Sequence, residues 1–189
     1  MAQLWLVRHA HPKDMDGICY GQLDVSTVAI PAIQPYYLEQ MSAFPVYSSP
    51  LSRCVKLAKQ LPGSYQLDPR IQEINFGQWE GQAWSQLPKD EIDAWNQDLS
   101  NYRVGSDGEC YSEFRARVLQ ALRAWQYTHQ TAIWVTHAGV IRVILAEFLG
   151  LTVIQSLRIK LDYVSLSVVS GTQYPCVEMI NQRIIQESI

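Results

Sequence analysis

The sequence predicts an α/β protein, a three-layer α/β/α sandwich on a mostly parallel central sheet with a lid-like insertion. Two apolar runs, Leu4-Trp5-Leu6-Val7 and Ile133-Trp134-Val135-Thr136, are short, continuous and rich in β-branched and aromatic residues. Strands buried on both faces have that composition. Strand-type and helix-type runs then alternate along the chain, which favours helices packed on both sides of one sheet. Each of the two runs also ends on a histidine, His9 and His137, and Arg8 precedes the first. Open α/β sheets bind ligands just beyond the carboxyl ends of their strands, so these ends are the first place to look for chemistry.

The remaining elements follow in order. Pro45-Val46-Tyr47-Ser48 reads as a third strand. Ser49 after it is a good N-cap and Pro50 a good first helical residue, so a helix is expected over about 50–61, with Arg53 in its first turn. Pro62-Gly63 ends it. Between the first two strands, Pro31 and Pro35 interrupt any helix over 28–41. Residues 113–127 give a helix with Phe114, Val118, Ala121, Leu122 and Trp125 on one stripe. Residues 139–149 give another that is apolar nearly all round and therefore buried, with Gly150 as its C-cap. Late strands are expected at about 163–169 and 175–180. The stretch from about 74 to 110 lacks clear periodicity and carries Trp79, Trp84 and Trp95. It reads as a lid or insertion within a single domain spanning 1–189.

Composition narrows the function classes. A net charge of −3 argues against general nucleic-acid or anionic-membrane binding, both of which need a basic surface. An anionic ligand must then be met by local cations. Four cysteines, Cys19, Cys54, Cys110 and Cys176, are scattered with no paired spacing for zinc or a disulfide framework. They read as buried small apolar residues in a reducing compartment. The first strand begins by about residue 3 and no apolar stretch approaches the roughly 20 residues of a membrane span, so a cytoplasmic protein is expected, as a monomer or homodimer.

If the sheet order brings the strand ends together, Arg8, His9, Arg53 and His137 meet at one rim. Two guanidinium groups suit phosphate oxygens, which they grip bidentately. Backbone N–H groups opening the helix after His137 add partial positive charge. Histidine, largely neutral near pH 7, can attack the phosphorus so held and carry the phosphoryl group covalently. The leaving alcohol needs a proton donor, and a carboxyl group can serve, then act as base for water. Glu73 and, nearby, Glu80 are the two candidates. His9 and His11 alternate onto one strand face, but no further ligand cluster accompanies them, so neither metal nor organic cofactor is expected. His11 then belongs to the pocket rim.

Leu6-Val7-Arg8-His9-Ala10, Ser49-Pro50-Leu51-Ser52-Arg53, Glu73-Ile74-Asn75-Phe76-Gly77-Gln78-Trp79-Glu80-Gly81 and Thr136-His137-Ala138-Gly139-Val140 stand in this order along the chain. Together these blocks resemble the histidine phosphatase superfamily, the phosphoglycerate mutase-like proteins. The resemblance implies His9 as phosphorylated nucleophile, Arg8, Arg53 and His137 as the phosphate pocket, and Glu73 as proton donor, with a small phosphorylated metabolite as partner. Within that superfamily, Gly17-Ile18-Cys19-Tyr20-Gly21-Gln22-Leu23-Asp24-Val25 is similar to the α-ribazole-5′-phosphate phosphatases of cobalamin nucleotide-loop assembly. The chain departs from the common pattern at Ala10, His11, Pro12, Met15, Leu57 and Asp107-Gly108-Glu109-Cys110. Two other functions compete with a phosphatase. A phosphoglycerate-type mutase would return the phosphoryl group to a hydroxyl, and a non-catalytic protein would bind phospho-ligands without turnover.

Overall fold

The structure is a computed structural model and describes residues 1–171 and 175–186. Its centre is a six-stranded sheet of β1 (Gln3–Arg8), β2 (Val46–Ser48), β3 (Tyr65–Leu67), β4 (Ala132–Thr136), β5 (Ser165–Ser170) and β6 (Cys176–Arg183), in the order β3-β2-β4-β1-β5-β6. The pairs β3–β2, β2–β4 and β4–β1 are parallel. β5 runs antiparallel to both β1 and β6, so the sheet is mixed but five of its strands point one way.

Period-two alternation sorts the strand side chains between two cores. Leu4, Leu6 and Trp134 face one side, where they meet Phe114, Val118, Leu122 and Trp125 of α4 (Tyr111–Thr128) and Val140, Ile141 and Ile144 of α5 (Ala138–Leu149). Trp5, Val7, Ile133 and Val135 face the other, against Met41 of α1 (Pro35–Met41) and Cys54, Leu57 and Ala58 of α2 (Ser52–Ala58). These are the three layers expected. α5 ends where Gly150 adopts φ +66°, a left-handed C-cap that glycine takes without steric cost.

Four local expectations need correcting. Pro35 opens α1 instead of preventing it, because at a first helical position the missing N–H has no partner to lose. Ser49 does not cap α2, which starts at Ser52 after an extended Leu51; the Ser49 hydroxyl lies 2.8 Å from His137 Nε2 instead. The stretch 74–110 contains α3 (Lys89–Gln97) and two 3₁₀ turns, Gly77–Trp79 and Trp84–Gln86. That part forms a small core of its own around Cys19, Trp79, Leu87 and Val104. Of the cysteines, Cys19, Cys54 and Cys110 are buried, whereas Cys176 is exposed, since it starts an edge strand with one solvent-facing side.

The central layer makes a quantitative test. Ile144 is fully buried, so Ile144→Ala is expected to cost about 2–5 kcal/mol in urea unfolding. Leu149→Ala on the same helix, at a half-exposed position, is expected to cost less than about 1 kcal/mol.

Candidate active site

Three parallel strand ends build the site. The His9 N–H donates to the Thr136 carbonyl at 2.9 Å and the Ser49 N–H to the Val135 carbonyl at 3.0 Å. The ladder therefore continues past the strands and fixes where the three chains leave the sheet. His9 is 1% exposed and Arg53 and His137 are fully buried. The imidazoles of His9 and His137 lie 5.0 Å apart between ring centroids, and both carry the charge influence of Arg8 and Arg53. The structure thus brings Arg8, His9, Arg53 and His137 to one point.

His9 Nδ1 sits 2.7 Å from the Ala10 carbonyl oxygen. A carbonyl only accepts, so Nδ1 carries the proton and Nε2 keeps its lone pair. Burial, above all, pushes the His9 pKa well below its ordinary value, and the neighbouring Arg53 and Arg8 charges push the same way. Burial likewise lowers His137, followed by His9, Arg53 and Arg8. Both rings are therefore neutral near pH 7, and neutral Nε2 is the form that attacks an electrophile.

The two guanidinium groups are held without a carboxylate. Arg53 donates from Nη1 to the Leu23 carbonyl at 2.8 Å and from Nη2 to the Gly21 carbonyl, and its charge lies 5.2 Å from the Tyr20 ring centroid. Arg8 donates from Nη1 to the Leu161 carbonyl and stacks 3.8 Å over the Tyr163 ring. Among the described residues, the buried Nε atoms of both arginines have no hydrogen-bond partner. Buried charge normally finds a counter-charge. Here backbone carbonyls and aromatic faces stand in for one, which leaves the pair suited to an anion.

Tyr163 was not foreseen from the sequence. It lies over Arg8, beside His9 at 5.6 Å and beside His11 at 4.5 Å. Its hydroxyl is 3.4 Å from that of Tyr20. The next residue, Val164, has φ +52°, a costly conformation for a β-branched side chain. Its N–H donates to the Arg8 carbonyl at 3.1 Å, so the strained turn is tied to the strand that carries the arginine. His11, on the rim, faces solvent and Asp16.

The two candidate carboxylates have different surroundings. Glu80 Oε1 accepts the N–H groups of Gln22 at 2.7 Å and Phe76 at 3.0 Å, clasping two loops. Glu73 Oε2 accepts the Gly139 N–H at 3.1 Å in the first turn of α5, two residues after His137. Its backbone is held by Arg117, which donates to the carbonyls of Arg70, Gln72 and Glu73 and pairs with Glu109 at 2.7 Å. A Cβ at Gly139 would collide with the Glu73 carboxylate, so any side chain there pushes that carboxylate from its place. Arg117 lies 44 residues from Glu73, Tyr163 is as remote from Arg8, and no local pattern marks either.

Fold and site together define a phosphate-handling α/β protein. The family model of the histidine phosphatase superfamily (branch 1) matches residues 4–180, and the chain belongs to that superfamily. It is 26% identical over 200 residues to the adenosylcobalamin/alpha-ribazole phosphatase of Escherichia coli (strain K12), with 97% of each chain covered. The crystal structure of the alpha-ribazole phosphatase from Shigella flexneri matches with a TM-score of 0.75 and 23% identity, covering 99% of this chain and 100% of that one. A phosphoserine phosphatase from Entamoeba histolytica, crystallised with phosphoserine, matches with a TM-score of 0.76 and 21% identity over 96% of this chain and 97% of its own. Among the described residues, no helix is long and apolar enough to cross a membrane.

Two outcomes follow from this geometry. Gly139→Ala removes a flexible residue from a helix, which favours folding by up to about 1 kcal/mol, yet displaces Glu73. We expect any phosphatase activity to fall at least about tenfold while the circular dichroism spectrum is kept. The lowered histidine pKa values also fix a pH dependence. The unfolded chain binds protons below about pH 6.5 that the folded His9 and His137 refuse. Stability is therefore full above that pH and lost as pH falls, so the thermal midpoint should drop between pH 7.5 and 5, less steeply in His9→Asn.

Proposed function

We propose that the protein is a phosphomonoester hydrolase working through a phosphohistidine on His9, with a small phosphorylated metabolite as substrate. The observation that carries this reading is the pair of carboxylate-free guanidinium groups beside a neutral, buried imidazole.

Arg8, Arg53 and His137 hold the phosphate oxygens, exchanging backbone carbonyls for a stronger, charge-assisted acceptor. His9 Nε2 attacks phosphorus in line; the P–N bond forms as the bond to the ester oxygen breaks. Glu73 gives its proton to that oxygen, and the alcohol leaves. In the second step the Glu73 carboxylate takes a proton from water, whose oxygen attacks phosphorus and returns the electron pair to Nε2. Inorganic phosphate is released and His9 is restored. The arginines serve both steps, since both build charge on the equatorial oxygens. Glu80 holds the loops that frame Glu73 and transfers no proton. The E. coli relative's name makes α-ribazole 5′-phosphate the first substrate to try.

Phosphate release from α-ribazole 5′-phosphate, 3-phosphoglycerate and p-nitrophenyl phosphate, measured with EDTA present, tests the reading. Turnover is expected to survive EDTA, vanish in His9→Ala, and fall about 10²–10⁴-fold in Glu73→Gln. Activity that persists in His9→Ala would overturn the mechanism. Conversion of 3-phosphoglycerate to its 2-isomer without phosphate release would identify a mutase instead.

A further inference from the structure

Two phenols flank the phosphate pocket, each fixed by the face of its ring. The Arg8 guanidinium lies 3.8 Å from the Tyr163 ring centroid, and that of Arg53 lies 5.2 Å from the Tyr20 centroid. A cation held against an aromatic face keeps ring and charge together. Tyr163 also lies 5.6 Å from His9 between ring centroids, and the charges of both Arg8 and Glu73 reach the Tyr20 phenol. His9 is 1% exposed and Arg53 and His137 are fully buried, whereas both tyrosines are half-buried. The phenols therefore form the outer side of the pocket, beside the nucleophile and the proton donor.

The two hydroxyls converge to 3.4 Å. That is longer than the roughly 2.7–2.8 Å of a well-made O–H···O bond, so they meet without satisfying each other. Among the described residues neither has another hydrogen-bond partner. A single oxygen about 2.7 Å from each would sit between them with both O–H groups turned to it. Burial, above all, pushes the Tyr20 phenol up from its ordinary range, so it keeps its proton and stays a donor wherever His9 is a nucleophile.

We infer that the Tyr20 and Tyr163 hydroxyls are ligands of the substrate phosphate, donating together to the oxygen that faces the pocket mouth. The inference rests on the phosphatase reading, since an anion gripped by Arg8 and Arg53 is what brings an oxygen to that point. A phosphoryl group taken out of water needs hydrogen bonds to all its oxygens. The arginines and His137 reach it from the strand ends; Tyr20, in the loop after β1, and Tyr163, in the turn before β5, reach it from the loop side. Neutral donors complete that shell without adding a third positive charge beside two that already repel.

Calorimetric titration of inorganic phosphate into wild type, Tyr20→Phe, Tyr163→Phe and the double variant tests the assignment without needing turnover. Phenylalanine keeps each ring against its arginine and removes only the oxygen. A hydrogen bond to a charged acceptor is strong enough that each single variant should weaken phosphate binding about tenfold. Two independent ligands multiply, so the double variant should lose roughly 100-fold, and KM for p-nitrophenyl phosphate should rise in step. A hydroxyl pair that only braces the fold behaves differently: breaking it once removes it, and the double variant would bind phosphate as the singles do. That result, or unchanged or tighter binding in either single variant, would overturn the phenol assignment while leaving the phosphatase reading intact. Wild-type protein that neither binds phosphate nor hydrolyses p-nitrophenyl phosphate would overturn both.

Discussion

Everything in this molecule turns on two guanidinium groups, Arg53 fully buried and Arg8 partly so, held together without an acidic partner. Arg53 is fully buried and leans on two loop carbonyls; Arg8 leans on one carbonyl and the face of Tyr163. Carbonyl dipoles soften the cost of burying such charge but do not cancel it. The excess positive potential has two effects at once. It adds to the burial that holds the neighbouring histidines in their neutral forms, and it leaves the pocket complementary to a phosphate in transit. A carboxylate placed to neutralise either arginine would have stabilised the fold and spoiled both effects.

The fold's contribution is to make that arrangement rigid. β4 lies between β1 and β2, and hydrogen bonds beyond the strand ends hold His9 and Ser49 to it. Ser49 in turn lies 2.8 Å from the His137 ring. From the other side, Arg117 gathers the carbonyls of Arg70, Gln72 and Glu73 and sets the Glu73 loop against the start of α5. The site is thus assembled from segments far apart in the chain, each pinned by backbone bonds. Only the side-chain tips are left to change partners when an anion arrives.

Much of this was legible in the sequence, for identifiable reasons. β1, β4 and α5 are so uniformly apolar that burial is their single reading, and the polar residues that end them stand out. Arg8, His9 and His137 were found that way. Arg53 needed the helix start after Ser49, and its position held even though the helix begins two residues later than Ser49 suggested. What escaped was set by tertiary contact. Tyr163 stacks on Arg8, Arg117 holds the Glu73 carbonyl and Arg142 the Ile159 carbonyl, all across separate elements of the chain, and no periodicity encodes that. α1 was missed because a proline was read as a breaker where it is a helix opener. α3 was missed because its tryptophans serve a small separate core and give no long apolar stripe.

The most direct test of the central claim is to trap the phosphoryl group on the enzyme. Rapid acid-free quenching during turnover of a ³²P-labelled ester, followed by peptide mapping, reports where the label sits. The account predicts an acid-labile, base-stable phosphoramidate on the peptide containing His9, absent in His9→Ala and persisting longer in Glu73→Gln. Label on any other residue, or turnover with no labelled enzyme at any quench time, would contradict it.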